Sequence, residues 1–114
     1  MKTENQRVTM FAAIVIGGNR VAVGANNGIR QSFPYKRING YREFAGIHAE
    51  MDVIRKCSKK TLKNSTIVVW GFNTKSKNQV KSKPCQACIN AISAVGIKKI
   101  VWFMKNGEKI IEKV

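Results

Sequence analysis

The sequence predicts an α/β fold: a five-stranded mixed β-sheet with helices packed on it, the last strand antiparallel. Three observations carry this. Two apolar runs flank Gly17-Gly18-Asn19, which reads as a β-hairpin. Two helical stripes alternate with apolar strands, Ile47 to Cys57 before Ser65–Trp70 and Cys88 to Val95 before Lys99–Phe103. Asn106-Gly107 then signals a second hairpin, which returns Glu108–Val114 beside the fourth strand.

Each element has a local reason. Val8–Ile16 is almost wholly apolar, and Arg20–Asn26 supplies the second strand. Residues 27–45 carry Gly28, Pro34, Asn39 and Gly40 without a sustained period and read as a long loop. Ile47, Met51, Ile54 and Cys57 recur at steps of four, three and three, one face of a helix. Ser65–Trp70 is apolar enough for a central strand. Gly71–Lys83 is lysine-rich and reads as a second loop. Pro84 suits a first helical position, and Gly96 stops the stripe of Cys88, Ile89, Ile92 and Val95.

The chain of 114 residues fits one domain, residues 1–114, and shows no internal repeat. No apolar run approaches the ~20 residues of a membrane span, and the first seven residues lack a signal-peptide core. Three cysteines, two of them in a C-x-x-C pair, do not make a secreted disulfide framework. A soluble cytoplasmic protein without membrane partners is expected. The formal charge of +15 points to an anionic partner, nucleotide or nucleic acid, unless it reflects a general lysine bias.

Two short stretches carry chemistry: His48-Ala49-Glu50 and Pro84-Cys85-Gln86-Ala87-Cys88, each opening a helix. Cysteines three apart on a helix share a face, and a helix N-terminus favours their thiolates. With His48, the only histidine, they offer three zinc ligands. A fourth position is left for water, whose pKa zinc lowers to about 7. Glu50 can then serve as proton shuttle without binding metal. Cys57 falls on the opposite side of the helix and reads as a core residue.

His-x-Glu followed by Pro-Cys-x-x-Cys resembles the zinc-dependent cytidine and deoxycytidylate deaminase superfamily, whose relatives include tRNA adenosine and polynucleotide cytidine deaminases. The resemblance implies a three-layer fold, Zn2+ on His48, Cys85 and Cys88, and Glu50 as the catalytic acid/base. Gly24-Ala25-Asn26 looks like the family's Gly-x-Asn, which implies a sugar contact for Asn26; the lesser alternative is a turn residue, since Asn26-Asn27-Gly28 is itself good turn chemistry. The resemblance also implies substrate-binding main chain at Ala49 and, before Pro84, at Lys83. It further implies a homo-oligomer.

The chain departs from the family in three ways. Little sequence precedes the first strand, so a short or missing N-terminal helix is expected. The stretch between Trp70 and Pro84 is long and basic. The Asn-Gly hairpin fits nucleoside-type enzymes, whereas a histidine ligand fits the deoxycytidylate and tRNA types.

The implied activity is hydrolysis of a C–N bond in a cyclic amidine, cytosine to uracil in a free nucleotide or nucleoside. One alternative is deamination of cytosine or adenine in single-stranded DNA or RNA. Arg30, Lys36, Arg37, Arg42 and Lys81 would then be phosphate or strand contacts, interleaved with Phe33, Tyr35, Tyr41, Phe44 and Phe72. The basic enrichment of these loops over an even spread is slight. A non-catalytic zinc module is the third reading, and Glu50 speaks against it.

Overall fold

The computed structural model describes residues 8–26 and 48–114. The expected loop 27–45, with Arg30, Lys36, Arg37 and Arg42, lies outside the described residues. The strands are β1 (Val8–Ile16), β2 (Asn19–Ala25), β3 (Thr66–Asn73), β4 (Lys99–Phe103) and β5 (Lys109–Lys113). The helices are α1 (Ala49–Arg55), α2 (Lys59–Leu62) and α3 (Gln86–Ala94). The strands form one mixed sheet in the order β2-β1-β3-β4-β5. Only β3 and β4 pair in parallel; every other pair is antiparallel, β5 included. Among the described residues no helix is long and apolar enough to cross a membrane.

Turn chemistry sets the two hairpins. Gly17 and Gly18 both take positive φ, 57° and 81°, as a two-residue turn between twisted strands requires. At the second hairpin Gly107 takes φ 94°, and Asn106 Oδ1 accepts from the Glu108 N–H at 2.9 Å. A register shift between Ile14 and Val15 leaves one extra residue in β2.

The core lies on one face of the sheet. Ala12, Ile14, Ile67, Val69, Ile100 and Trp102 project there and meet Ala49, Met51, Val53 and Ile54 of α1, Leu62 of α2, and Cys88 and Ile92 of α3. Burying each large aliphatic side chain contributes about 1.5–3 kcal/mol. Cys57 follows the end of α1, half-buried against this core.

α1 rests directly on β2. A Cβ built at Gly24 would lie 2.5 Å from Val53 N and 2.9 Å from Ala49 O, so only glycine permits the approach. Asp52 ties the helix down: its Oδ2 accepts from the Ala25 N–H at 3.0 Å, and Arg55 Nη2 and Lys56 Nζ lie 2.8 and 3.2 Å from its oxygens. Burial pushes the Asp52 carboxyl up. The bonds from Ala25, Arg55 and Lys56 outweigh this and hold it below its ordinary value.

Beyond Trp70 the chain departs from a simple loop. β3 runs on to Asn73, and a tight turn follows in which Asn73 Oδ1 accepts from the N–H groups of Lys75 and Ser76, both at 2.9 Å. The returning segment bridges Gln79 to Phe72 and bonds the Val80 N–H to Gly71 O. β3 and β4 pair only over Thr66–Val68 and Lys99–Val101. Past that point buried Ser82 joins them. Its hydroxyl donates to Val69 O and accepts from the Phe103 N–H, both at 2.8 Å, and its own N–H donates to Phe103 O at 2.9 Å.

Two substitutions test these supports. Ser82→Ala leaves Val69 O and Phe103 N–H without their side-chain partner, and unfolding in urea is expected to show a loss of about 1–3 kcal/mol. Gly24→Ala forces α1 off β2 and is expected to lower both thermal stability and zinc retention, measured by calorimetry and metal content. Unchanged values in Gly24→Ala would mean that α1 does not need this contact.

Candidate active site

Two helix starts converge beside the sheet. His48 is the N-cap of α1 (φ −81°, ψ 154°) and Cys85 the N-cap of α3 (φ −71°, ψ 167°). Both have extended backbone, so Cys85 precedes the helix rather than sharing a helical face with Cys88. Their carbonyls start the helices, His48 O accepting from Asp52 N–H and Cys85 O from Ile89 N–H, both at 2.9 Å. Neither side chain caps its helix. Positions that usually hold Ser, Thr, Asp or Asn for a side-chain bond to the helix N–H groups are here given to an imidazole and a thiol. Pro84, expected as the first helical residue, stands just before the cap and is buried.

The ligand atoms of His48, Cys85 and Cys88 all lie within 4.8 Å of one another. Cys88 Sγ and His48 Nδ1 are 3.4 Å apart. Zinc bonds of roughly 2.0–2.3 Å in a tetrahedron need donors somewhat under 4 Å apart, so the cluster fits with little contraction. Two thiols and an imidazole are also the donor set that suits zinc over hard cations.

Electrostatics of the pair agree with this. A hydrogen bond from the Cys88 side chain, opposed by burial and aided by His48, holds the Cys85 thiol down to about 4. Cys88 donates that bond, is buried and faces Glu50, and is pushed up. Cys85 is thus biased toward the thiolate and Cys88 toward the thiol, whose proton a dication must displace.

Glu50 sits in the first turn of α1, only 5% exposed. Burial raises its carboxyl above the ordinary value; its own main chain and His48 act the other way, and Cys85 adds to the rise. A carboxyl here is two residues from His48 and faces the cysteines without belonging to the metal-ligating group.

Residues 1–104 match the family described as "Cytidine and deoxycytidylate deaminase zinc-binding region". The chain belongs to this family. Curated proteins show no significant match to it. In this deaminase family member His48, Cys85 and Cys88 are positioned to bind a metal ion by the starts of α1 and α3.

The structure places the remaining candidates differently. Asn26 carries β2 onward along β1. Its Oδ1 accepts from the Met10 N–H at 3.1 Å and its Nδ2 donates to Val8 O at 2.9 Å. Ala49 is buried at the start of α1, with its carbonyl against Gly24. Lys81 and Lys83 are exposed, and their Nζ atoms lie 5.7 and 5.8 Å from the centre of the Trp102 ring. Sequence reasoning missed Ser82 and Trp102. Nothing in a lysine-rich stretch marks one serine as the link between two strands, although a small polar residue two positions before Pro-Cys was the signal available.

Zinc titration tests the cysteine assignment. One zinc per chain is expected, lost in Cys85→Ser and Cys88→Ser and kept in Cys57→Ser. With Cys85 biased toward the thiolate and Cys88 toward the thiol, loading is expected to release about one proton from the pair, measured calorimetrically in buffers of different ionisation enthalpy. Affinity then rises with pH. Release of two protons would show that both cysteines are thiols in the free protein.

Proposed function

We propose that this protein is a zinc-dependent hydrolase that converts cytosine to uracil in a free nucleotide or nucleoside. The observation that carries the reading is the His48, Cys85 and Cys88 cluster with buried Glu50 beside it. Zinc held by those three side chains would supply the acidity that makes water a nucleophile at neutral pH.

The chain's own residues do the rest. Glu50 takes the two protons of the attacking water in turn, delivering the first to ring N3 and the second, from the new C4 hydroxyl, to the exocyclic amine. Water adds at C4, the C4–N bond breaks and ammonia leaves, so one water is consumed for each ammonia released. The raised affinity of Glu50 for a proton suits a group that must both take and give one. Asn26, held to β1 next to the α1 contact, is the proposed sugar-side residue. Main chain at Ala49 and Lys83 is proposed to meet the base edge.

A second reading, deamination within a single strand, is favoured by Lys81 and Lys83. Both are exposed and stand on Trp102 immediately before Pro84-Cys85. They would meet the phosphates of a longer substrate, with Arg30, Lys36, Arg37 and Arg42 as further proposed contacts.

Mass spectrometry of zinc-loaded protein against cytidine, deoxycytidine, their monophosphates, free bases and cytosine-containing oligonucleotides decides between them. Turnover of a monomer is expected, reduced by about 10²-fold or more in Glu50→Ala while zinc content is unchanged. Turnover of oligonucleotides alone would select the second reading. Turnover of nothing, in either protein, would leave a zinc-binding module.

A further inference from the structure

The sheet has a second face, and the core does not use it. Residues paired side by side across strands project to the same face. The register therefore places Phe11 beside Trp70, Val68 beside Val101 and Ile111, and Thr66 beside Lys99 and Lys113. All lie opposite the face of Ala12, Ile67 and Ile100, which meets the helices. Val101 is buried between its neighbours, and none of them belongs to the core cluster under the helices or packs against it. Among the described residues no helix covers this face.

Its chemistry is divided in two. Across β1 and β3 stand three aromatic rings, each half-buried. Phe11 stacks on Trp70 with centroids 5.6 Å apart and planes at 22°, and Phe72 lies 6.1 Å from Phe11. Across β4 and β5 the same face carries Lys99, Lys109 and Lys113 around Ile111, which is 57% exposed. The described carboxylates are elsewhere. Glu50 and Asp52 are on α1, Glu108 is in the turn before β5, and Glu112 pairs with Ile100 and so projects to the helix side.

We propose that this face is a binding platform for single-stranded nucleic acid, with Phe11, Trp70 and Phe72 stacking bases and Lys99, Lys109 and Lys113 meeting phosphates. An aromatic cluster on an open sheet bordered by lysines joins the two contributions that sequence-tolerant strand binding needs. The distance fits: four residues along β3 separate the Lys99–Lys113 pair, level with Thr66, from Trp70, roughly 13 Å, the reach of a few nucleotides. A second copy of the chain is a poor occupant, because it would bring two lysine sets together on a chain of formal charge +15. The platform lies on the opposite side of the sheet from the zinc ligands, so it would hold a strand without itself presenting a base to Glu50.

The test uses full-length, zinc-loaded protein and a labelled oligothymidylate. Thymine has no exocyclic amine, so binding is read independently of deamination, and a failed platform leaves the catalytic reading untouched. Fluorescence anisotropy is expected to show salt-sensitive binding that Trp70→Leu weakens roughly tenfold. Lys99→Gln, Lys109→Gln and Lys113→Gln together are expected to lower the log–log salt slope by about 2. Turnover of any monomer substrate should be the same in Trp70→Leu as in wild type. With two tryptophans in the chain, Trp102→Phe leaves Trp70 alone, and its emission is expected to be quenched by the strand. Should Trp102→Phe misfold, the anisotropy comparison decides. The proposal is overturned if Trp70→Leu binds like wild type, if duplex DNA binds as tightly as the single strand, or if sedimentation shows a dimer that Trp70→Leu disperses.

Discussion

The seat of α1 on β2 is the constraint on which the site depends. Gly24 offers no side chain, so the helix main chain comes within contact of the strand, and Asp52 holds it there through the Ala25 N–H. The first turn of this helix carries Glu50, and His48 is its cap. A shift of the helix by the width of a methyl group would move both groups together. Proximity at the site is thus decided by a strand glycine and a carboxylate that take no part in the chemistry.

The second ligand pair depends on how β3 and β4 part. Parallel strands joined through a helix bring that helix start to their C-terminal ends, where open α/β sheets place their sites. Here the strands pair over only a short length and then diverge. Ser82 fills the gap with three hydrogen bonds and delivers the chain to Pro84 and Cys85. Both caps are then an imidazole and a thiol that make no capping bond, which forgoes about 1 kcal/mol of side-chain capping at each helix start. Local stability yields to function at these two positions, and the buried faces of α1 and α3 compensate for it.

Charge is arranged around this frame, not within it. Asp52 is neutralised by Arg55 and Lys56, and Glu50 is buried, while the lysines project outward from turns and outer strands. Lys81 and Lys83 stand on Trp102 before α3, and Lys99, Lys109 and Lys113 border the opposite face.

Much of this was legible in the residues themselves. Period and turn chemistry gave the five strands, two of the three helices and both hairpins among the described residues, because hydrophobic alternation and the positive φ of Gly17, Gly18 and Gly107 are local properties. The brief helix α2 escaped because four residues hold no period. The family was legible too, as was the grouping of His48, Cys85 and Cys88 in space, since residue types and spacing are chemistry that a linear motif preserves. What only the tertiary structure decided were contacts between distant segments. These are the glycine seat under α1, the serine joining β3 to β4, the use of the Asn26 carboxamide on β1, and the gathering of Phe11, Trp70 and Phe72 on one open face. Each depends on strand register and on which face a side chain takes, and a change of one residue in pairing would reverse it.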